Sequence, residues 1–391
     1  MVMKKKNVLL RGPLLTMSGY GIHSRQIFRW LMSRDDVELR VQPLPWGITS
    51  WIINPNAENG LIGEIMQRSV KDLDMFDISF QLQLPNEWDP KLAYKNVGIS
   101  AFIETDRCNP SWVQCCNNMT AIVAPSKHSL ESVTTAGQLS VPAYVIPESY
   151  PDVIRNQELK PIDLDLSTDF NFLVFGQLTG SLPENDRKNI FNTIKWMCES
   201  FANDPDVGIV LKTNSGRGTK IDRNVTLKVV NQVVSEIRKG PYPKIHLIHG
   251  NLTPEEVAGI YKHPKIKALV SITRGEGFGL PILEAAASGL PIIATPWSGH
   301  MDFLSKGKFI PVEYNLQEIP PSRVDNKIFM QGTMWAEADE NSVKQRMEKF
   351  RKSSTIPLAW AKELQQKILT EYSQNSICEF YNEKFNDVFQ S

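Results

Sequence analysis

Residues 274–291 read RGEGFGLPILEAAASGLP. Two glutamates, Glu276 and Glu284, stand eight positions apart around a glycine-bearing loop that runs into a short helix. Pro281 suits the first helical position, where its missing N–H would be unpaired anyway, and Gly289 with Pro291 stops the helix after about two turns. Leu280, just before it, carries no capping side chain, so the N–H groups of Ile282, Leu283 and Glu284 are expected to be open to a phosphate. Gly277 and Gly279 let backbone approach a ligand closely, and the helix dipole favours negative charge at that end.

The loop lies between two short apolar runs, IKALVSIT (266–273) and PIIATP (291–296). Similar runs precede it: NFLVFGQL (171–178), VGIVLKT (207–213) and KIHLIHG (244–250), with helical patterns from about Arg187 to Phe201 and from Pro254 to Tyr261. Apolar runs alternating with amphipathic segments are the pattern of a parallel sheet covered by helices. An earlier series repeats it: NVLLRG (7–12), a helix from about Ile22 to Ser33, VELRVQPL (37–44), FDISFQLQL (76–84), NVGISAFIE (96–104), AIVAPS (121–126) and AYVIPE (143–148). The polar connection over 150–169, with Pro151 and Pro161, places the boundary near 165. We therefore expect an α/β chain of two doubly wound, Rossmann-like domains, 1–165 and 166–374, facing a central cleft. A last helix over 375–391 is expected to pack back on the N-terminal domain.

Lysine plus arginine equals aspartate plus glutamate at 43 each, which removes the global basic field expected of a nucleic-acid binder. Arg11 interrupts the apolar run after the basic start MVMKKK before it reaches signal-peptide length, and no later stretch is long and apolar enough to span a bilayer. A cytoplasmic location is the simplest expectation. Five cysteines, Cys108, Cys115, Cys116, Cys198 and Cys378, lack zinc-ligand spacing and read as reduced thiols.

Ligands of such sheets bind outside the carboxyl ends of the strands, where several polar groups fall here. Lys212 ends VGIVLKT, Arg187 and Lys188 follow the loop after NFLVFGQL, and Arg274 stands directly before Glu276. Cations with helix N–H groups suit a diphosphate whose charge grows as a sugar departs. Each could instead be a solvated surface charge. Glu284, in the first helical turn, can lean back to hold vicinal ribose hydroxyls, or can simply stabilise the dipole. Glu276, between glycines on a loop, has no such helical role.

These residues resemble the retaining glycosyltransferases of family 4, with the GT-B fold, over most of the chain. The glutamate pair matches that family's E-x7-E motif. Supporting blocks are FGQL followed by RKN (175–189), the LK pair at 211–212, HGNLTPEEV (249–257), TPWSGHMDFL (295–304) and WAEADENSV (335–343). In the first domain, GPLLTMSGYGIHSRQ (12–26), FIETDRCNPSWVQCCNNMTAIVAPSKHS (102–129) and VIPES (145–149) are similar to it too. Many members carry arginine where Gln177 stands, which shifts the phosphate clamp toward Lys188, Arg187 and Lys212.

The resemblance implies transfer of a hexose-type sugar from a nucleotide diphosphate sugar to a hydroxyl acceptor with retention of configuration. Neither cofactor nor metal is implied, the nucleotide sugar being a co-substrate. Glu276 would be catalytic, with Gly277, Phe278, Gly279 and Leu280 facing the sugar phosphate, Glu284 on the ribose, and Asn251 and Leu252 near the base. Gly19 and Gly21 would approach the diphosphate from the first domain. There SGYG (18–21) opens a helix without being a dinucleotide fingerprint, and could instead be a tight strand-to-helix turn. Tyr20, His23, Glu104 and Asp106 are acceptor-side candidates; Glu104 and Asp106 end the NVGISAFIE run and could equally cap the next segment. Trp46, Trp51, Trp88 and Trp112 could stack on sugars or simply pack, and NSGRGTK (214–220) could close over a ligand or be a solvated loop. Two other functions stay open: a nucleotide-sugar epimerase or phosphorylase of the same fold, and a catalytically silent sugar-binding protein.

Overall fold

The computed structural model describes residues 5–71, 75–178, 182–214, 216–238 and 240–390. The start of the basic run MVMKKK, Ser215 within NSGRGTK and Ser391 lie outside them. The chain divides into two compact units, Met1–Ser149 with Asn326–Met330 and Tyr372–Ser391, and Tyr150–Asp325 with Gln331–Glu371. The division falls at Ser149/Tyr150, ahead of the position near 165 where composition changes.

The first unit holds six strands, β1 (Lys6–Gly12), β2 (Val37–Pro43), β3 (Phe76–Leu82), β4 (Ala93–Ile99), β5 (Ala121–Ala124) and β6 (Ala143–Val145). They form one parallel sheet in the order β2-β1-β3-β4-β5-β6, so strand order reverses between β1 and β3. The Gly19–Met32 helix follows β1, with Ser18 as its cap accepting from the Gly21 amide at 3.0 Å. The C-terminal Gln374–Gln390 helix joins the same core: Trp30 stacks on Tyr381 at 4.6 Å and meets Phe80 edge-on at 5.1 Å.

The NVGISAFIE run is only partly strand. β4 starts earlier and stops at Ile99, and Phe102 adopts a left-handed φ of 51° that no strand continues through. Glu104 and Asp106 therefore sit in the loop beyond the sheet rather than at a strand end.

The second unit repeats the plan with β7 (Phe170–Phe175), β8 (Val207–Thr213), β9 (Lys244–His249), β10 (Ile266–Ser271), β11 (Ile292–Ala294) and β12 (Ile310–Pro311). Their order is β12-β11-β10-β7-β8-β9, all parallel, and the reversal falls between β7 and β10. β8 is buried along its whole length, as a strand covered by helices on both faces must be. Elements not expected from the sequence include the Lys220–Ile237 helix, β12, and the antiparallel pair β13 (Tyr314–Glu318) and β14 (Met334–Ala338). Among the described residues no helix is long and apolar enough to cross a membrane.

Candidate functional site

The reversal in the second sheet leaves a crevice outside the carboxyl ends of β7 and β10, the usual ligand position in such sheets. The loop after β7 supplies Arg187 and Lys188; the loop after β10 supplies Glu276. Backbone ties hold the loops together. The Arg274 amide donates to the Arg187 carbonyl at 2.8 Å, and the Asn189 side chain donates to the Ile272 carbonyl at 3.2 Å. Arg187 and Lys188 are loop residues because the following helix begins only at Ile190, after Asn189 in a left-handed conformation.

Nζ of Lys188 donates to both carboxylate oxygens of Glu276 at 2.7 Å, and Arg187 stands 3.6 Å from Oε2. Arg187 also donates to the Gly275 carbonyl at 2.6 Å. Glu276 is buried, which pushes its carboxyl up, yet Lys188 and then Arg187 outweigh that and hold it at about 2. It is a fixed anion at any physiological pH.

The loop from Glu276 to Leu280 is shaped by its neighbours. The Glu276 amide donates to the Ser298 hydroxyl at 2.8 Å, and the Glu276 carbonyl accepts from Gly299 at 2.9 Å. A Cβ on Gly299 would stand 2.2 Å from the Gly277 carbonyl oxygen, so only glycine fits there. Gly279 caps the Leu280–Ala287 helix at φ 101°, a conformation that glycine adopts without strain. The helix thus starts one residue earlier than Pro281 suggests. The Ile282 and Leu283 amides, expected to be open, both donate to the Gly279 carbonyl, at 2.9 and 3.0 Å. Among the described residues of this loop the Phe278, Gly279 and Leu280 amides make no hydrogen bond to protein, so the anion-ready donors lie nearer to Glu276. The Phe278 ring packs edge-on against Phe303 at 5.4 Å, leaving only its backbone to face a ligand.

Glu284 falls in the second turn, not the first, which removes the dipole as its explanation. Its Oε2 accepts from the Tyr261 hydroxyl at 3.1 Å, and burial raises its pKa to about 7 despite that bond. Tyr261 stacks on Phe175 at 5.9 Å, and Nζ of Lys212 lies 6.0 Å from the centre of that same ring. Lys212 and Glu284 therefore flank one aromatic pair. Lys212 donates to the Asn214 side chain at 2.9 Å and to the Gly250 carbonyl at 2.8 Å, and burial lowers its pKa to about 8. Asn214 also accepts from the Gly250 amide, at 2.9 Å, which fixes the turn leading to Asn251 and Leu252. Asn251 is exposed and its side chain lies against Gly218 of the NSGRGTK segment, where Asp222 accepts from the Arg217 and Thr219 amides.

Arg274 is occupied elsewhere. Its guanidinium is buried, paired with Glu337, donating to the Pro183 and Asp186 carbonyls at 2.7 and 2.8 Å, and lying over Trp335 at 5.3 Å. It braces the loop after β7 from behind.

In the first unit, the turn after β1 also stands at its sheet's reversal. A Cβ on Gly21 would lie 2.2 Å from the Thr16 carbonyl oxygen, so packing alone demands that glycine; a Cβ on Gly19 would meet nothing within 4 Å. Tyr20 is tied to the loop after β4, sharing a 3.1 Å bond with the Ser100 hydroxyl and accepting from the Ala101 amide at 3.0 Å. His23 is buried and kept neutral by that burial, its pKa lowered to about 3. Asp106 pairs loosely with Arg107 at 4.0 Å. Trp88 and Trp112 are buried, whereas Trp51 is exposed.

Tyr261, Ser298, Gly299 and Asn214 were not singled out from the sequence. Ser298 and Gly299 carried a signal inside the TPWSGHMDFL block, and Asn214 one as the first residue of NSGRGTK.

Residues 230–319 match the family model described as glycosyl transferases group 1. That span holds β9 to β13 and the Glu276–Glu284 stretch. Among solved structures, the chain is similar to a sucrose-phosphate synthase from Thermosynechococcus elongatus, 12% identical with a TM-score of 0.65, covering 99% of this chain and 100% of that one. It is also similar to the lipopolysaccharide outer core galactosyltransferase WaaB, 12% identical with a TM-score of 0.55, over 98% and 99%. A pneumococcal O-GlcNAc transferase, solved with UDP and GlcNAc, is 14% identical with a TM-score of 0.51; the match covers 80% of this chain and 57% of that one. No curated protein matches in sequence. The fold is that of GT-B glycosyltransferases, with two Rossmann-like parallel α/β domains.

Proposed function

We propose that the chain is a retaining glycosyltransferase of family 4, moving a hexose-type sugar from a nucleotide diphosphate sugar to a hydroxyl acceptor without a metal or cofactor, in the cytoplasm. The observation that carries this reading is the convergence of Lys188 and Arg187 on Glu276 at the reversal of the second sheet, beside the Gly279 and Leu280 amides.

The anionic Glu276 faces the donor sugar, and Lys188 can serve both that carboxylate and a phosphate because an ammonium carries three donors. As the bond from the anomeric carbon to the phosphate oxygen breaks, Lys188, Arg187, Lys212 and the two amides stabilise the departing diphosphate. The acceptor oxygen bonds to the same face of the anomeric carbon, and its proton passes to the diphosphate. Glu284, beside Tyr261, holds the ribose hydroxyls, and the base lies near Asn251 and Leu252. The family match over 230–319, which includes both glutamates, supports the reading.

The test is a thermal-shift panel of UDP, GDP and ADP sugars followed by release of nucleoside diphosphate. One nucleotide class should raise the melting temperature, since a ligand that binds only the folded state stabilises it. No shift with any nucleotide, or full turnover by Glu276→Ala, would overturn the assignment.

A further inference from the structure

The segment from Val41 to Ala57, VQPLPWGITSWIINPNA, contains no charged residue. It runs from the last residues of β2 out beyond the carboxyl end of the first sheet and presents Ile48 at 74% exposure, Ile53 at 76% and Trp51 at 43%. Isolated apolar side chains on a surface need no explanation; three large ones on one uncharged loop do.

The loop is held in one shape. The Leu44 amide donates to the Gly12 carbonyl at 2.9 Å, the Met17 amide to the Ser50 carbonyl at 2.9 Å, and the Ile52 amide to the Leu15 carbonyl at 2.7 Å. Trp46 stacks on Tyr20 at 3.8 Å, which fastens the loop to the turn after β1. At its far end Glu58 is gripped by Arg25 at 2.7 Å and Arg29 at 2.5 Å. Such bracing would be wasted on a loop that merely strayed into solvent, because ordering exposed residues costs conformational entropy.

We propose that this loop rests on a phospholipid bilayer, with Ile48, Trp51 and Ile53 entering the interfacial zone, and that the acceptor is carried by that membrane. The second half rests on the glycosyltransferase reading. A bilayer fits better than a protein partner for three reasons. The protruding residues are aliphatic or tryptophan, the types that settle at the membrane interface. The loop has no charge to be stripped of water or to specify a partner. Three backbone bonds to the Gly12–Met17 segment fix which side chains protrude, so these can enter lipid without the loop first having to order. The loop is fastened to Tyr20, beside the turn at the reversal of the first sheet, where an acceptor would be met.

The experiment is flotation of the full chain with phosphatidylcholine vesicles, with and without phosphatidylglycerol, at low and high salt. Binding should occur with both lipids and survive salt. Ile48→Asp combined with Ile53→Asp should lower the vesicle-bound fraction at least tenfold while leaving the nucleotide-induced melting shift unchanged. Should that variant fail to fold, Ile48→Ser with Ile53→Ser and quenching of tryptophan fluorescence by brominated lipid replace it, quenching being expected to fall in the variant. Absence of wild-type binding, undiminished binding by the variants, or binding that needs anionic lipid and vanishes in salt would overturn the proposal. So would a vesicle-independent dimer that the variants dissolve, which would assign the loop to a second copy. A nucleotide shift without flotation would sink only the membrane claim, and flotation without any nucleotide shift only the transferase reading.

Discussion

Both carboxylate oxygens of Glu276 lie 2.7 Å from Nζ of Lys188, although 88 positions separate the two residues in the chain. They meet because β7 and β10 are neighbours where the sheet reverses, so the loops leaving them share one crevice. Breaking a buried pair leaves the survivor uncompensated, at a cost of about 3 kcal/mol. Lys188→Met and Glu276→Gln should each lower the stability by about that amount and reduce nucleoside diphosphate release at least 100-fold, about 2.7 kcal/mol of transition-state stabilisation. Urea unfolding of the singles and the double variant checks the pairing: the double should lose clearly less than the sum of the singles.

Glu284 gives a stability signature. Its folded pKa is raised by burial from the ordinary 4.5 to about 7. The stability it contributes is therefore complete below the ordinary carboxylate pKa and lost as pH rises through about 7. Glu284→Gln should melt higher than the wild type at pH 8 and show a flatter profile between pH 5 and 8, while binding the donor at least tenfold more weakly. A calorimetric pH series with a donor titration measures both.

Lys212 sets the opposite limb. Burial lowers its pKa to about 8, so it sheds its proton just where a diphosphate would need the charge. Donor affinity should rise as Glu284 ionises through about 7 and fall as Lys212 deprotonates through about 8. In the ligand-free protein the lowered lysine pKa means that Lys212 makes stability increase between about 8 and its ordinary 10.5. Lys212→Arg, charged throughout, should abolish the alkaline fall in affinity measured by isothermal titration.

The glycines near the first sheet's reversal separate packing from ligand approach. Gly21→Ala forces a Cβ to 2.2 Å from the Thr16 carbonyl and should unfold or severely destabilise the first unit. Gly19→Ala meets nothing within 4 Å, so its melting temperature should stay within about 2 °C of the wild type. If Gly19 lets backbone meet the diphosphate, that variant should still lose donor turnover. Unchanged turnover would make the turn purely structural.

Much of the fold was legible because parallel strands covered on both faces must be apolar throughout, and such runs, β8 above all, stand out in a sequence. NVGISAFIE misled for the same reason: it carries apolar residues beyond Ile99, where the strand has ended and Phe102 turns the chain. The Lys220–Ile237 helix stayed hidden because Ile221, Val225 and Val229 are exposed on it, so its apolar periodicity does not mark its buried face.

The site divides in the same way. Residue types and local spacing determined that residues 274–291 form a glycine-bearing loop entering a short helix, with two carboxylates eight positions apart and a lysine, Lys212, at a strand end. Local chain stiffness and hydrophobic periodicity act over a few residues, and so can be read directly. Only the tertiary structure decided that Lys188 grips Glu276, that Tyr261 meets Glu284, that Arg274 braces its loop through Glu337, and that Phe278, Gly279 and Leu280 hold the open amides. Those outcomes depend on which strands become neighbours and which side chains lose water together, and no short stretch of sequence contains that information.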